Sequence, residues 1–210
     1  GVIVNWERNL RGGIGYSATT KMFRTDRKDN SELLDGDIRF SLAYRPLQSR
    51  WIMLNRLDFK FDANTDVLGY KTRQRKLIDN FASNWLVDDR NQVSFNAGLK
   101  YVIDNFDELE YSGTTAMLGT EYRHDLNDTF DVGVHAHTLH SFNSNVYSYS
   151  TGVSFGWNMV RNIWLSIGYN FEGFEDSDFS AAGYTATGPY IRFRMKFDQD
   201  TVADLKGWMN

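Results

Sequence analysis

Apolar and polar positions alternate along most of this chain. Every second residue from Ile38 is apolar, giving Ile38, Phe40, Leu42 and Tyr44, with Asp37, Arg39, Ser41, Ala43 and Arg45 between them. A period of two is that of a β-strand, whose successive side chains point to opposite faces. The split returns after Pro46, where Trp51, Met53, Leu57, Phe59 and Phe61 oppose Arg56, Asp58, Lys60 and Asp62. Val93, Phe95, Leu99 and Tyr101 then oppose Lys100 and Asp104, and Leu118 and Tyr122 oppose Glu121 and Arg123. Phe130, Val132 and Val134 face away from Asp131, His135 and His137, and Val153, Phe155 and Trp157 alternate with Gly and Ser. The last repeats are Ile163, Leu165 and Ile167, then Ile191, Phe193, Met195 and Phe197 against Arg192, Arg194 and Lys196.

The pattern predicts ten strands, over 12–25, 36–45, 50–62, 69–87, 92–104, 109–123, 129–140, 145–157, 162–172 and 189–197. Residues 1–11 read as a segment leading into this array or as part of a further strand. An even count places both ends of the array on one side. One stretch, 69–87, breaks the rule: Leu77, Phe81 and Trp85 share their parity with Asp79, Arg73 and Arg75. The expected repair is a β-bulge, or a strand that projects beyond a bilayer.

A mean hydropathy of −0.49 would ordinarily suggest a soluble protein, and no apolar run reaches the roughly 20 residues of a membrane helix. A transmembrane barrel escapes that inference, because lipid-facing and lumen-facing residues alternate and cancel in the average. Lys or Arg at mid-bilayer on the lipid face costs about 2–4 kcal/mol, and confinement of charge to one parity is what this penalty selects. The fold class is therefore all-β: a transmembrane antiparallel up-and-down β-barrel of about ten strands, or the C-terminal part of a larger one. The barrel is assigned to 12–198 and a periplasmic extension to 199–210. The 15% aromatic content and only 2 prolines suit such an array. A net charge of −4 argues against a nucleic-acid partner, and the absence of Cys removes thiolate metal sites and Cys nucleophiles.

Tight turns at 46–49, 87–90, 124–127 and 158–161 alternate with longer connections at 25–35 and 174–188, which places the former at the periplasm and the latter outside. An aromatic of lipid-facing parity precedes each tight turn: Tyr44, Trp85, Tyr122 and Trp157, with Phe197 closing the last strand. Rings recurring once per hairpin make a candidate periplasmic aromatic girdle.

The closing run Tyr190-Ile191-Arg192-Phe193-Arg194-Met195-Lys196-Phe197 resembles the C-terminal signal strand of bacterial outer-membrane proteins, although it lacks Gly and is followed by 198–210. The segments Gly168-Tyr169-Asn170-Phe171-Glu172-Gly173-Phe174, Asp178-Phe179-Ser180 and Gly188-Pro189-Tyr190 resemble the barrel that ends large modular surface proteins of Gram-negative bacteria. The resemblance implies an outer-membrane location, with membrane lipid and envelope or surface proteins as partners.

Inward parity would bring together Arg39, Arg45, Arg56, Lys60, Lys100, Arg123, Arg192, Arg194 and Lys196 with Asp37, Asp58, Asp62, Asp104, Glu121, Asp131 and Glu172. In so small a barrel such side chains pair and fill the lumen, or line a narrow selective pore. His135 and His137 are weak metal candidates without a defined third ligand. Glu175, Asp176 and Asp178 in the last long loop offer oxygen ligands for Ca²⁺, against the simpler reading of a solvated external loop. No catalytic constellation or cofactor motif can be singled out, so the chain is not expected to be an enzyme. The leading expectation is a structural or anchoring barrel; the alternatives are a narrow porin-like channel and a soluble ligand-binding barrel with its apolar face turned inward.

Overall fold

The computed structural model describes residues 1–26, 31–47, 49–160, 163–182 and 186–195. Its one sheet contains eleven strands, each hydrogen-bonded to its neighbours in chain order. They are β1 (Val2–Asn9), β2 (Ile14–Asp26), β3 (Glu32–Tyr44), β4 (Trp51–Thr65), β5 (Lys71–Leu86), β6 (Asn91–Phe106), β7 (Leu109–Asp125), β8 (Phe130–Ser141), β9 (Val146–Val160), β10 (Ile163–Glu172) and β11 (Gly188–Met195). Every pairing is antiparallel. The result is the expected up-and-down barrel, with a seam: no ladder joins β1 to β11 among the described residues.

The sheet is turned inside out relative to a soluble protein. Phe40, Leu99, Val153 and Ile167 are exposed at 47%, 52%, 42% and 51%, whereas Asp58 is buried and Arg56 half-buried. The buried apolar residues among those described are only Ile78, Met117, Ile163, Phe179 and Ala182. A continuous apolar exterior of this extent is not sustained in water, so the soluble barrel with an inward apolar face is excluded.

Three readings from parity need correction. Residues 2–9 form a complete strand in register with β2, from Val2 opposite Met22 to Asn9 opposite Gly15. The count is therefore eleven, and the first strand starts at the opposite end of the barrel from where the last one finishes. Second, β5 contains no bulge: its register with β4 runs unbroken from Trp85 to Lys71, and with β6 from Leu86 to Thr72. The register shifts lie instead in the β9–β10 pair, near Ile163 and Asn170. Asp79 does point outward, where Asn55 Nδ2 on β4 donates to its Oδ1 at 2.9 Å.

Third, connection length alternates less than the sequence suggests. One end of the barrel carries turns at 10–13, 45–50, 87–90 and 126–129 (the turn end). The other carries 66–70, the two-residue turn Asp107-Glu108, 142–145 and the long 173–187 (the loop end). Local chemistry explains several turns. Asp66 Oδ1 accepts from Leu68 N and Tyr70 N, Asn127 Oδ1 from Thr129 N and Phe130 N, and Asp88 Oδ1 from Arg90 N and Asn91 N. In each, a short side chain satisfies backbone donors that the reversal leaves free. Asp107 takes a φ of 54°, a left-handed conformation that Asp tolerates better than most residues.

Candidate functional site

The inward face of the strands forms a charged lumen. On β3 and β4, Arg39 Nε lies 2.6 Å from Asp58 Oδ1 and Arg56 Nε 2.8 Å from Asp58 Oδ2. Arg39 stands opposite Asp58 in register and Arg56 two residues before it, so strand geometry alone delivers both guanidiniums to one carboxylate. Towards the loop end, Gln74 donates to Asp104 at 2.6 Å, and Asp62 is half-buried nearby on β4. Towards the turn end, Arg123 contacts Glu121 at 2.9 Å and Asp131 at 3.4 Å.

The middle of the lumen is filled by residues 174–182 of the β10–β11 connection, which fold inward. Asp178 sits 3.1 Å from Lys60 Nζ, 3.5 Å from Lys76 Nζ and 3.4 Å from Lys100 Nζ, and Asp176 lies 2.5 Å from Lys100 Nζ. Three successive strands, β4, β5 and β6, thus each present an ammonium to one loop. Below these pairs Phe179 and Ala182 pack on Ile78 and Met117, and all four are buried. Lys100 Nζ also stands 5.3 Å from the Phe179 ring centroid. Asn80 clamps the loop backbone, donating to Asp178 O at 3.1 Å while its Oδ1 accepts from Ser180 N at 2.9 Å. Gly98 makes this fit: a Cβ there would collide with the Phe179 ring.

The plug corrects the reading of 172–178 as a solvated loop or calcium loop. Asp176 and Asp178 face inward and are met by lysines, so their charge is already neutralised, whereas Glu172 and Glu175 are exposed as a solvated loop would have them. Cavities remain on either side of it. One of about 620 Å³ lies against β1–β5, and one of about 370 Å³ is lined by His135, His137, Glu121, Arg123, Tyr190 and Arg192. A smaller space of about 280 Å³ opens between Lys21, Asp37, Asp62 and Lys76.

Arg39, Arg56, Asp58, Lys60, Asp62, Lys100, Asp104, Glu121, Arg123, Asp131 and Arg192 lie on the inward face of their strands, half-buried or buried. Arg45 is exposed just past β3 at the turn end, and Glu172 is exposed at the end of β10, beyond a register shift. The backbone of Arg194 pairs with Trp164; its side chain, and Lys196, Phe197 and 199–210, lie outside the described residues. Tyr44, Trp85, Tyr122 and Trp157 are exposed on the outer face at the turn end. Trp51 joins them, stacked on Trp85 with ring centroids 5.9 Å apart. The rings of His135 and His137 are 5.6 Å apart, and no group of three metal-binding side chains forms among the described residues.

Sequence reasoning missed Lys76, Ile78, Asn80 and Met117, as well as the inward turn of Asp176 to Ala182. The available signals were the even-numbered parity of β5 and apolar Phe174, Phe179 and Ala182 inside an otherwise polar loop.

No protein family matches this chain, and no curated protein sequence does. Among solved structures, the NanC porin in a rhombohedral crystal form aligns over 94% of this chain and 100% of that one, with a TM-score of 0.39 and 10% identity.

Proposed function

We propose that this protein is an integral outer-membrane barrel with a lumen held shut from within, serving as the non-catalytic membrane anchor of an envelope or surface assembly. The observation that carries this reading is the plug formed by residues 174–182, pinned by Lys60, Lys76 and Lys100 over the buried Phe179. An anchor must seat a sheet in lipid without opening a leak, and a mixed-charge lumen closed by its own loop meets both demands. The resemblance of the closing strands to the barrels of modular surface proteins points the same way.

A second reading is a narrow diffusion channel in which the same loop acts as a gate. It is favoured by the cavities that remain beside the plug, two of them lined by charged side chains such as Glu121, Arg123, Asp62 and Lys76. Single-channel recording in planar bilayers separates the two. An anchor gives no steady conductance as wild type, and gives discrete steps only once the plug is weakened by Asp178→Asn with Phe179→Ala. Steady, reproducible conductance of the wild-type barrel rejects the sealed anchor in favour of the channel.

A further inference from the structure

The parity break in β5 leaves three cations that the lumen does not use. Because β5 keeps unbroken register with both neighbours, Lys71, Arg73 and Arg75 share the outer face with Leu77, Phe81 and Trp85. All three are exposed, and none forms an ion pair or side-chain hydrogen bond among the described residues. Phe61 and Ile103 flank Arg75, and Ala63 and Asn105 flank Arg73. The carboxylate across the sheet, Glu110, accepts a hydrogen bond from Asn105 at 2.8 Å.

Depth gives these cations a meaning. Arg75 lies ten residues along β5 from Trp85, the ring at the turn end. At roughly 3.3 Å per residue and a tilt of about 40°, that stretch rises about 25 Å, the height of the apolar band of an outer-membrane barrel. Arg75 therefore reaches the far edge of the hydrocarbon, with Arg73 and Lys71 above it at headgroup level. Two guanidiniums about 7 Å apart on one strand face suit phosphate, which Arg binds through paired N–H donors.

We propose that Lys71, Arg73 and Arg75 form a docking strip for the phosphates of an anionic outer-leaflet glycolipid, its acyl chains lying along Phe59, Leu77 and Tyr101. The proposal rests on the outer-membrane reading and adds a lipid ligand to it. To test it, the barrel is inserted into phosphatidylcholine vesicles with and without lipid A, a diphosphorylated glucosamine lipid. The folded-state midpoint is read from heat-dependent gel mobility and bound lipid from native mass spectrometry. Lipid A is expected to raise the wild-type midpoint and remain bound. The double variant Arg73→Gln, Arg75→Gln should lose the rise and retain at least about tenfold less lipid, while Arg73→Lys, Arg75→Lys retains an intermediate amount.

Equal retention by wild type and the Gln variant overturns the proposal. So does an equal midpoint rise with inorganic phosphate, which would assign the strip to a free ion, or cross-linking of two copies through β5 without lipid A. If the Gln variant does not insert, wild type decides the matter with dephosphorylated lipid A: an undiminished rise overturns the proposal. Failure of wild type to insert sinks the outer-membrane reading as well, whereas insertion without a lipid effect sinks the proposal alone.

Discussion

Asp58 and Asp79 sit on adjacent strands and meet opposite fates. Asp58, exposed at 1%, is enclosed by two guanidiniums in the lumen. Asp79 looks outward, with Asn55 as its hydrogen-bonding partner and Leu57 and Leu99 beside it in register. A carboxylate on the lipid face near mid-height is a cost, smaller than that of Lys or Arg there. Asp79→Leu should therefore stabilise the inserted barrel by about 1–2 kcal/mol, measured by urea-dependent unfolding in vesicles. At the turn end, the Arg90 backbone N–H, and then the Asn91 side chain and backbone, hold the Asp88 carboxyl below the usual carboxylate range. Its folded value is depressed, so the turn's contribution is fully present above the unfolded carboxylate value and lost as pH falls through the folded one. Carboxyl NMR should record a lowered Asp88 midpoint that Asn91→Ala moves back up. Parity made Arg39, Asp58 and Lys100 legible as inward residues, since alternation fixes the face. It could not place Arg45 and Glu172, which lie past a strand's end or a register shift.

Among the elements, β5 and the β10–β11 connection depart furthest from the alternating pattern, and both departures are informative. The outward polar residues of β5 read as a bulge or as a strand projecting beyond the bilayer, and the unbroken register removes the bulge. Asn55 satisfying Asp79, and the position of Arg75 at the edge of the apolar band with Arg73 beyond it, resolve the conflict without a bulge. The inward fold of 174–182 was illegible for a different reason. Its contacts with Lys60, Lys76, Asn80 and Gly98 span some 80 to 120 residues of chain, and an aperiodic loop carries no signal of what it will meet. Its seating depends on the missing side chain at Gly98. Gly98→Ala should push Phe179 off Ile78 and Met117, destabilising the plug by about 1–3 kcal/mol. Protease added from the loop-end side of vesicles should then cut near Ser180 faster than in wild type, with insertion efficiency unchanged.

At the level of the whole molecule, alternation disclosed the barrel and its inverted polarity, because a lipid-facing surface imposes one rule on every strand. Strand number was read one short, since the oily face of β1 is only Val2, Val4 and Trp6 before Arg8 interrupts it. With eleven strands, β1 and β11 run in the same direction and cannot close on each other as an antiparallel pair. Hydrogen exchange in vesicles should therefore find the outward-edge amides of β1 and β11 at least about tenfold less protected than those of β4 to β7; equal protection would mean that a further strand covers the seam. The plug belongs to none of the ladders. It leaves β10 and returns at β11, and among the described residues the wall holds its backbone through the side chains of Asn80 and Asn170. Permeability and membrane seating are consequently separable traits: a lineage could loosen or tighten the cork by changing a few loop residues while every stave of the cask stayed in place.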